Sequence, residues 1–464
     1  MALKKNQAIT LKIEDITNLG FGVGRHGGEV VFVSDTVPGD EVLAVVIKPY
    51  SSYSIAKPTR YITRSADRVD DRCPYTACRA CSYKHLSYEK ELSIKRGMVE
   101  SAFHKAGLDE VKIGDVIPSP SLSSYRNKAQ YPVSKNAKGE YVVGFYAPKS
   151  HRVSDAMCCP LAPAVFSEIL SELIKYFEKH SISVYDEKSG TGLLRHIYLR
   201  RGEVSGEILL TIVINGKNLP AEEELCRILT EKFPDIVGIL INENELSTNV
   251  ILGESFRILS GRDYIIDTLC GVKLKITAQS FYQVNHGAAE ILYKKAKELA
   301  ELSGDELLLD LYCGAGSIGL SMLDEARELC GIEIVESAVE CAKFNAEMNG
   351  FKNANFYTGD ASSAENILKN AETIRGEKIK PDVVILDPPR GGSTKELLNF
   401  ISTLSPRKIV YISCNPETLA RDMVTLIANG YEPSEVTPVD LFPMTGHVES
   451  VVCFTRRLDV DMRR

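Results

Sequence analysis

The sequence Ile409-Val-Tyr-Ile-Ser-Cys-Asn-Pro-Glu-Thr-Leu-Ala-Arg-Asp422 joins a short apolar run to the start of a helix. Its first four residues predict a buried strand, and residues 416–428 predict a helix. Asn415 is suited to cap that helix, and Pro416 fits its first turn, where a missing N–H costs nothing. Cys414 stands between the two elements, where the positive end of the helix dipole is expected to lower the pKa of a thiol. We interpret Cys414 as a candidate nucleophile, with a buried cysteine at a strand end as the alternative.

The chain around this stretch alternates strand-like and helix-length segments from residue 286 onwards. That rhythm predicts a doubly wound, Rossmann-like parallel sheet. The predicted parallel strands are Leu307–Tyr312, Leu329–Ile334, Ala354–Tyr357, Val383–Leu386 and Ile409–Ile412, and Val436–Leu441 with Val448–Thr455 form a closing pair.

A glycine-rich turn follows the first of these strands, in Asp310-Leu-Tyr-Cys-Gly-Ala-Gly-Ser-Ile-Gly. Gly314 and Gly316 allow the backbone to approach a ligand closely. Glu333 follows the next strand and is placed to accept hydrogen bonds from ribose hydroxyls. This pattern is shared by enzymes that bind dinucleotides and enzymes that bind S-adenosylmethionine.

Two further polar positions lie at the carboxyl ends of the predicted strands, where open α/β sheets bind ligands. Asp360 is placed to reach an adenine amine, with a helix cap as the alternative. Asp387, in Leu386-Asp-Pro-Pro-Arg390, begins a rigid polar lip. A lip of this kind favours a methyl donor over a nicotinamide.

Three cysteines are bunched in Arg72-Cys-Pro-Tyr-Thr-Ala-Cys-Arg-Ala-Cys81. Their spacing of four and then two residues predicts a metal site, with either Cys158 or Cys159 as the distant fourth ligand. From spacing alone, the metal could be zinc or an iron–sulfur cluster. The spacing of four and then two residues, with a distant fourth cysteine, matches the plant-type [2Fe–2S] pattern.

The beginning of the chain has short strand-like runs separated by glycine and proline turns, which predict a small antiparallel barrel of the OB-like kind. Its strands are expected at Ile9–Ile16, Glu29–Val33, Glu41–Ile47 and Ile55–Ile62. Residues 1–155 carry 23 basic and 17 acidic residues, whereas the whole chain has a net charge of −7. A basic first third on an acidic body favours a polyanion such as RNA as the partner of this part.

The length of 464 residues predicts about three domains, which we place at 1–66, 67–276 and 277–464. The middle one is expected to be a mixed α+β domain that carries the cysteine cluster. Helices are expected there at 84–107, 161–180 and 218–233, with strands at Leu193–Arg201, Ile208–Ile214, Val237–Ile241 and Val272–Ile276. No run long enough to span a membrane and no signal core is present, so we expect a cytoplasmic protein, without a membrane or protein partner, that acts as a monomer.

Several motifs together resemble the bacterial RNA (uracil-5-)-methyltransferases, and most of all the iron–sulfur-containing 23S rRNA enzymes of the RumA/RlmD and RlmCD type. The motifs are Tyr125–Val133, Gln279-Ser-Phe-Tyr-Gln-Val-Asn285, Asp310–Gly316, Asp387-Pro-Pro-Arg390 and Ser413–Asp422, and the segment 8–62 is similar to a TRAM domain. The resemblance covers nearly the whole chain.

This resemblance implies a class I methyltransferase that forms a covalent adduct with uracil. It implies that Cys414 is the nucleophile and that Glu449 is the base. It implies that S-adenosylmethionine is contacted by Gln279, Tyr312, Glu333 and Asp387. It also implies a [4Fe–4S] cluster on Cys73, Cys78, Cys81 and Cys159. The family usually has five residues between the first two of these cysteines, where this chain has four.

Two alternatives to methylation of 23S rRNA are kept. One retains the chemistry but acts on uracil in the T-loop of tRNA. The other is a non-catalytic, iron–sulfur RNA-binding protein, which would not bind S-adenosylmethionine. A cytosine-5 enzyme is disfavoured because that class carries a cysteine after proline where this chain has Pro388-Pro389.

Overall fold

The computed structural model describes residues 3–457, apart from residues 71, 72, 76, 149, 248 and 377. The outermost residues of the domains expected at 1–66 and 277–464 therefore lie outside the described residues. Among the helices that are described, none has both the length and the apolar composition needed to cross a membrane.

The first strands close into a barrel, in the order β1-β2-β3-β5-β4. They are β1 (Ala8–Ile16), β2 (Gly22–His26), β3 (Glu29–Val33), β4 (Glu41–Pro49) and β5 (Tyr53–Thr63). Alternate residues of β1 point inward, which is the period expected of a strand with one buried face. The barrel expected from the sequence is confirmed.

Two details of the barrel differ from the expectation. β2 forms inside the segment expected to be only a turn, and Gly24 permits it, because a side chain there would approach the Lys12 carbonyl oxygen to 2.5 Å. The barrel is also not wholly antiparallel, since β3 and β5 pair in parallel. The chain crosses to β4 before it returns beside β3, and this crossover is what closes the barrel.

The middle of the chain forms a seven-stranded sheet, in the order β12-β11-β10-β9-β6-β7-β8, and a separate hairpin of β13 and β14. Its strands are β6 (Lys128–Lys135), β7 (Tyr141–Tyr146), β8 (Val153–Asp155), β9 (Leu194–Arg201), β10 (Ile208–Ile214), β11 (Ile236–Glu243), β12 (Ser255–Gly261), β13 (Tyr264–Leu269) and β14 (Val272–Thr277). Helices α2 (Ala164–Lys179) and α3 (Glu222–Lys232) pack on the sheet through a shared apolar core. The α+β character is confirmed, although five of these strands were not predicted.

The last part of the chain is an eight-stranded sheet, in the order β17-β16-β15-β18-β19-β22-β20, with β21 on β22. Its strands are β15 (Leu307–Leu311), β16 (Glu328–Glu333), β17 (Ala354–Thr358), β18 (Val383–Leu386), β19 (Lys408–Ser413), β20 (Tyr431–Pro433), β21 (Thr437–Val439) and β22 (Glu449–Arg456). The intervening helices are α4 (His286–Ala300), α5 (Ser317–Met322), α6 (Glu336–Met348), α7 (Ala364–Arg375), α8 (Lys395–Leu404) and α9 (Pro416–Ala428). β15 to β19 are parallel, as predicted, and β22 runs antiparallel to β19.

Helix α1 (Tyr88–Lys105) packs on this last sheet rather than on the middle one. Its buried residues Val99 and Phe103 share a core with Leu311 and Leu419. The segment that follows α1 also bridges to β21, through Ile117 and Val439. The sequence placed this helix with the middle domain, and the structure makes it one wall of the catalytic region described next.

Candidate active site

Cys414 occupies the turn between β19 and α9, as the sequence predicted. The Asn415 side chain accepts a hydrogen bond from the Glu417 N–H at 3.1 Å and caps the helix, and Pro416 lies in its first turn. Asn415 also donates to the Arg390 carbonyl at 3.1 Å. The cap therefore ties the cysteine turn to the Asp-Pro-Pro-Arg lip after β18.

The pKa of the Cys414 thiol is raised, not lowered as the helix position led us to expect. Burial is the main cause, followed by the carboxyl groups of Glu449 and Asp387, while Arg390 acts in the opposite direction. A half-buried thiol beside two carboxylates loses more from desolvation and like charge than one helix terminus returns. Arg390 is the nearby cation that favours the thiolate form.

Glu449 lies beside Cys414 because of the strand register. Ser413 pairs with Ser450 across β19 and β22, so the next residue pair along is Cys414 and Glu449. Facing residues in such a pair have Cβ atoms about 4.5–5.5 Å apart. Burial raises the pKa of the Glu449 carboxyl to about 8, with Asp387 adding to it. A carboxyl with a pKa near neutrality is suited to take up and release a proton.

Cys414 opens into a cavity of about 640 Å³. Three parts of the chain line it. They are the turns that carry Arg390, Cys414 and His447 (called the catalytic turns below), helix α1 near Met98, and the barrel segment 15–18. The residues immediately before Glu449 line it as well. The cavity is large enough for a nucleotide, and the barrel contributes a wall that the catalytic domain alone lacks.

Arg390 and His447 were not singled out in the sequence. Arg390 lies in the quoted Asp-Pro-Pro-Arg motif, and its guanidinium lies 3.5 Å from the His447 ring. Arg390 lowers the pKa of Glu449 and of Cys414, so it is the cation that offsets their burial. Its position after the Pro-Pro lip is the signal that would have identified it.

A second cavity, of about 870 Å³, lies over the glycine turn. Gln279, Gly314 and Glu333 line it. The Glu333 carboxylate accepts hydrogen bonds from the N–H groups of Gly314 at 3.0 Å and Val335 at 2.9 Å, so the acid also fixes the turn. Phe281, which was not predicted, lines the same cavity with 72% of its surface exposed.

The other expected ligand contacts lie outside the lining of this cavity. Tyr312 has a φ of 67°, in the left-handed region, and Gly316 has a φ of 80° and caps α5. Asp360 is exposed and accepts a hydrogen bond from the Ser362 N–H at 2.8 Å, which is the helix-cap alternative. Asp387 follows β18 and is in the lining of neither cavity.

Asp387 is buried and acts electrostatically on several neighbouring groups. Burial raises its pKa to about 7. It raises the pKa of Glu449 and Cys414 on one side and that of Asp310 on the other. Asp310 accepts a hydrogen bond from the Gly319 N–H at 3.0 Å, within the glycine turn. These buried carboxyl groups favour a cation near them, as Arg390 already shows by lowering the pKa of Glu449.

The four cysteines expected to bind a cluster line one small cavity, together with Arg126 and Lys84: they are Cys73, Cys78, Cys81 and Cys159. Burial raises the pKa of Cys81 to about 12, and the neighbouring thiols Cys159 and Cys73 add to the effect. Cys158 is exposed and outside this lining, and its N–H donates to Tyr75. The geometry favours Cys159 over Cys158.

Within the described ranges, no three His, Cys, Asp or Glu side chains are arranged to hold a single metal ion. Zinc needs four ligands around one ion. A cluster of several irons is larger, and its thiolates stand farther apart because each binds a different iron. The four thiols around a common cavity are the right donors for such a group.

Comparison with known proteins gives the family of the chain. Residues 87–457 match the protein family tRNA (Uracil-5-)-methyltransferase, and residues 2–59 match the TRAM domain. An uncharacterized RNA methyltransferase of Clostridium tetani is 40% identical, over 98% of this chain and 97% of its own. One from Staphylococcus aureus is 39% identical, over 98% and 99%.

Among solved structures, the Pyrococcus abyssi tRNA (uracil-54, C5)-methyltransferase in complex with S-adenosyl-L-homocysteine has a TM-score of 0.77 and 27% identity. The match covers 96% of this chain and 100% of that one. The chain belongs to the tRNA (uracil-5-)-methyltransferase family, a family of S-adenosylmethionine-dependent RNA uracil-5-methyltransferases, and carries an N-terminal TRAM domain.

Proposed function

We propose that Cys414 starts the reaction by adding to C6 of a uracil in RNA. The new S–C6 bond moves the electron pair of the C5=C6 bond onto C5, which makes C5 nucleophilic toward a methyl group. The observation that carries this proposal is the position of Cys414. It lines a nucleotide-sized cavity, and the strand register places it next to Glu449. Extracting the base from its stack costs a few kcal/mol, which phosphate contacts from the basic N-terminal part offset.

Glu449 completes the reaction as the general base. Once C5 carries both its proton and the methyl group, the Glu449 carboxylate takes the proton. The electron pair of the C5–H bond restores C5=C6 and expels the Cys414 thiolate. The negative charge of the carboxylate thus passes to the thiolate. The raised pKa of Glu449 supports this role, because a base that is too acidic holds the proton poorly.

The sulfonium of S-adenosylmethionine supplies the methyl group to C5: the S–CH3 bond breaks, its electron pair stays on sulfur, and S-adenosylhomocysteine leaves. Gln279, Gly314 and Glu333 support its binding from the lining of the larger cavity. We assign further contacts to Tyr312, Gly316, Asp360 and Asp387 on the strength of the motifs. The Asp387 carboxylate, which raises the pKa of Cys414 and Glu449, favours a cation such as a sulfonium nearby.

We also propose a [4Fe–4S] cluster on Cys73, Cys78, Cys81 and Cys159. Their common cavity supports it, as does the cationic Arg126 on the same lining, which offsets thiolate charge. Its role is structural: the cluster holds the cysteine loop, which contacts the segment before Glu449 through the Tyr83 N–H and the Met444 carbonyl at 2.9 Å.

For the RNA substrate, 23S rRNA is the first candidate, because the motifs and the four cysteines resemble the iron–sulfur rRNA enzymes. tRNA is the second candidate, and it is favoured by one specific observation. The Pyrococcus abyssi protein of the same overall architecture is a tRNA (uracil-54, C5)-methyltransferase.

Methyl transfer to unmodified transcripts of each RNA class tests the substrate. Purified protein and labelled S-adenosylmethionine are incubated with 23S rRNA domains and with tRNA, and the nucleosides are analysed by mass spectrometry. We expect 5-methyluridine in 23S rRNA at rates at least about tenfold above those on tRNA. The reverse ratio would assign the enzyme to tRNA, and methylation of neither would contradict the proposed function.

A further inference from the structure

A buried group of three charges lies behind the catalytic turns. Lys95 Nζ on α1 donates to Glu91 Oε1 and to Asp440 Oδ1, each at 2.7 Å, and all three side chains are fully buried. Such a group contributes little stability compared with apolar packing. The function of this group therefore lies in the part of the backbone that it binds.

The three charges hold the backbone of the segment 440–447. Lys95 Nζ donates to the Phe442 carbonyl at 3.1 Å, and Glu91 Oε1 accepts from the Met444 N–H at 2.8 Å. Asp440 Oδ1 also accepts from the Phe442 N–H at 3.0 Å. Met444 has a φ of 66°, a strained conformation for a residue with a side chain, so the segment needs such contacts to persist.

The same contacts continue toward the base. The Thr445 hydroxyl donates to the Phe442 carbonyl at 2.8 Å and accepts from the His447 N–H at 3.3 Å. β22 begins at Glu449, two residues later. A continuous path of hydrogen bonds and backbone therefore joins Lys95 to the residue that faces Cys414.

We infer that Lys95, with Glu91 and Asp440, is a positioning residue that fixes the turn 442–447 so that Glu449 faces the reacting carbon. The inference rests on the roles proposed for Cys414 and Glu449. It concerns chiefly the second half of the reaction, proton removal and release, because the contacts lead along the backbone to Glu449. The cysteine turn is reached only through the longer contact of 3.5 Å between His447 and Arg390.

The test is the amount of covalent protein–RNA adduct in Lys95→Met. A base displaced by about 1 Å slows its own step by about 100-fold, whereas thiol addition and methyl transfer are less affected. We expect turnover to fall and adduct that survives denaturing gels to accumulate, with the affinity for S-adenosylmethionine unchanged. A merely structural role would lower adduct and product together, and that result would overturn the inference.

Glu100→Gln is the matched control, since it removes an exposed ion pair with Arg96 on the same helix and should leave both quantities unchanged. If Lys95→Met does not fold, Tyr88→Phe removes a hydroxyl that donates to Asp440 at 2.9 Å and accepts from the Ser119 N–H at 2.7 Å. A smaller rise of the adduct-to-product ratio is then expected. An unchanged ratio in that folded variant would overturn the inference.

Glu449→Gln, measured in parallel, separates this inference from the proposed function. If Glu449→Gln accumulates adduct and the folded Lys95 or Tyr88 variant does not, the positioning role alone is wrong. If Glu449→Gln forms product without adduct, the role proposed for Glu449 is wrong, and the positioning inference is overturned with it.

Discussion

Cys414 and Glu449 lie side by side because β22 runs antiparallel to β19, with Ser413 paired to Ser450. In an all-parallel sheet, the start of the last strand would lie at the opposite edge from the cysteine turn. The antiparallel strand brings an acid from near the end of the chain to the carboxyl end of β19. The pair therefore depends on the topology of the sheet and not on nearness in sequence.

The rate should rise with pH, because both the thiol and the carboxyl act in their deprotonated forms and both pKa values are raised. Arg390 lowers both pKa values, so Arg390→Met should raise them further. We expect the rising limb of the kcat profile to shift to higher pH, with activity lost at pH 7 and partly recovered at pH 9. Arg227→Met, an exposed arginine, is the control. An unshifted profile in Arg390→Met would mean that Arg390 does not face the pair.

Stability should fall as pH rises, because the folded protein holds a proton on Glu449 that the unfolded chain releases near pH 4.5. The loss develops between about 4.5 and about 8 and is complete above that range. Glu449→Gln removes this pH-dependent loss of stability. At pH 8.5 the variant should therefore be more stable than the wild type by roughly 1–4 kcal/mol, and at pH 5 this advantage should be smaller. Denaturant unfolding at both pH values measures this. A variant destabilised equally at both would show that Glu449 is held by favourable contacts instead.

Contact between the barrel and the catalytic segment should be needed for activity. A side chain at Gly446 would meet the backbone oxygen of Asn18 at 2.3 Å, so Gly446→Ala forces the barrel segment to move. We expect weaker RNA binding and a loss of about 1–3 kcal/mol in stability. Gly391→Ala, where a side chain meets nothing within 4 Å, is the control. RNA affinity is measured by filter binding. Equal affinity in the two variants would show that the contact between the barrel and the catalytic segment does not contribute to RNA binding.

Iron content should distinguish the two adjacent cysteines. Cys81 and Cys159 line the small cavity, whereas Cys158 is exposed outside it. After anaerobic purification, we expect Cys159→Ser and Cys81→Ser to lose iron and labile sulfide, and Cys158→Ser to retain both. Loss in Cys158→Ser with retention in Cys159→Ser would exchange the two assignments.

The parts of the fold that were predicted from sequence are those with a strong local pattern. β15 to β19 are apolar runs between helix-length segments, and the glycine turn has a characteristic spacing. β6, by contrast, begins and ends with lysine and contains Pro132, so its sequence does not read as a central strand. It is held by pairing with β9, about 70 residues away, which no local pattern reveals.

The site shows the same division. The cap at Asn415 was predicted because it depends on neighbouring residues. The raised pKa of Cys414 was not predicted, since it comes from burial of the thiol and then from Glu449 and Asp387, which other strands bring close. The packing of α1 on the catalytic sheet was missed for the same reason, and the buried Lys95 group with it.

The mass of the peptide that contains Cys414, isolated from Glu449→Gln after incubation with RNA and S-adenosylmethionine, tests the central claim most directly. We expect that peptide to carry a nucleotide of methylated uracil, and we expect Cys414→Ala to form neither adduct nor 5-methyluridine. Formation of 5-methyluridine by Cys414→Ala, or a nucleotide attached to a different residue, would contradict the account.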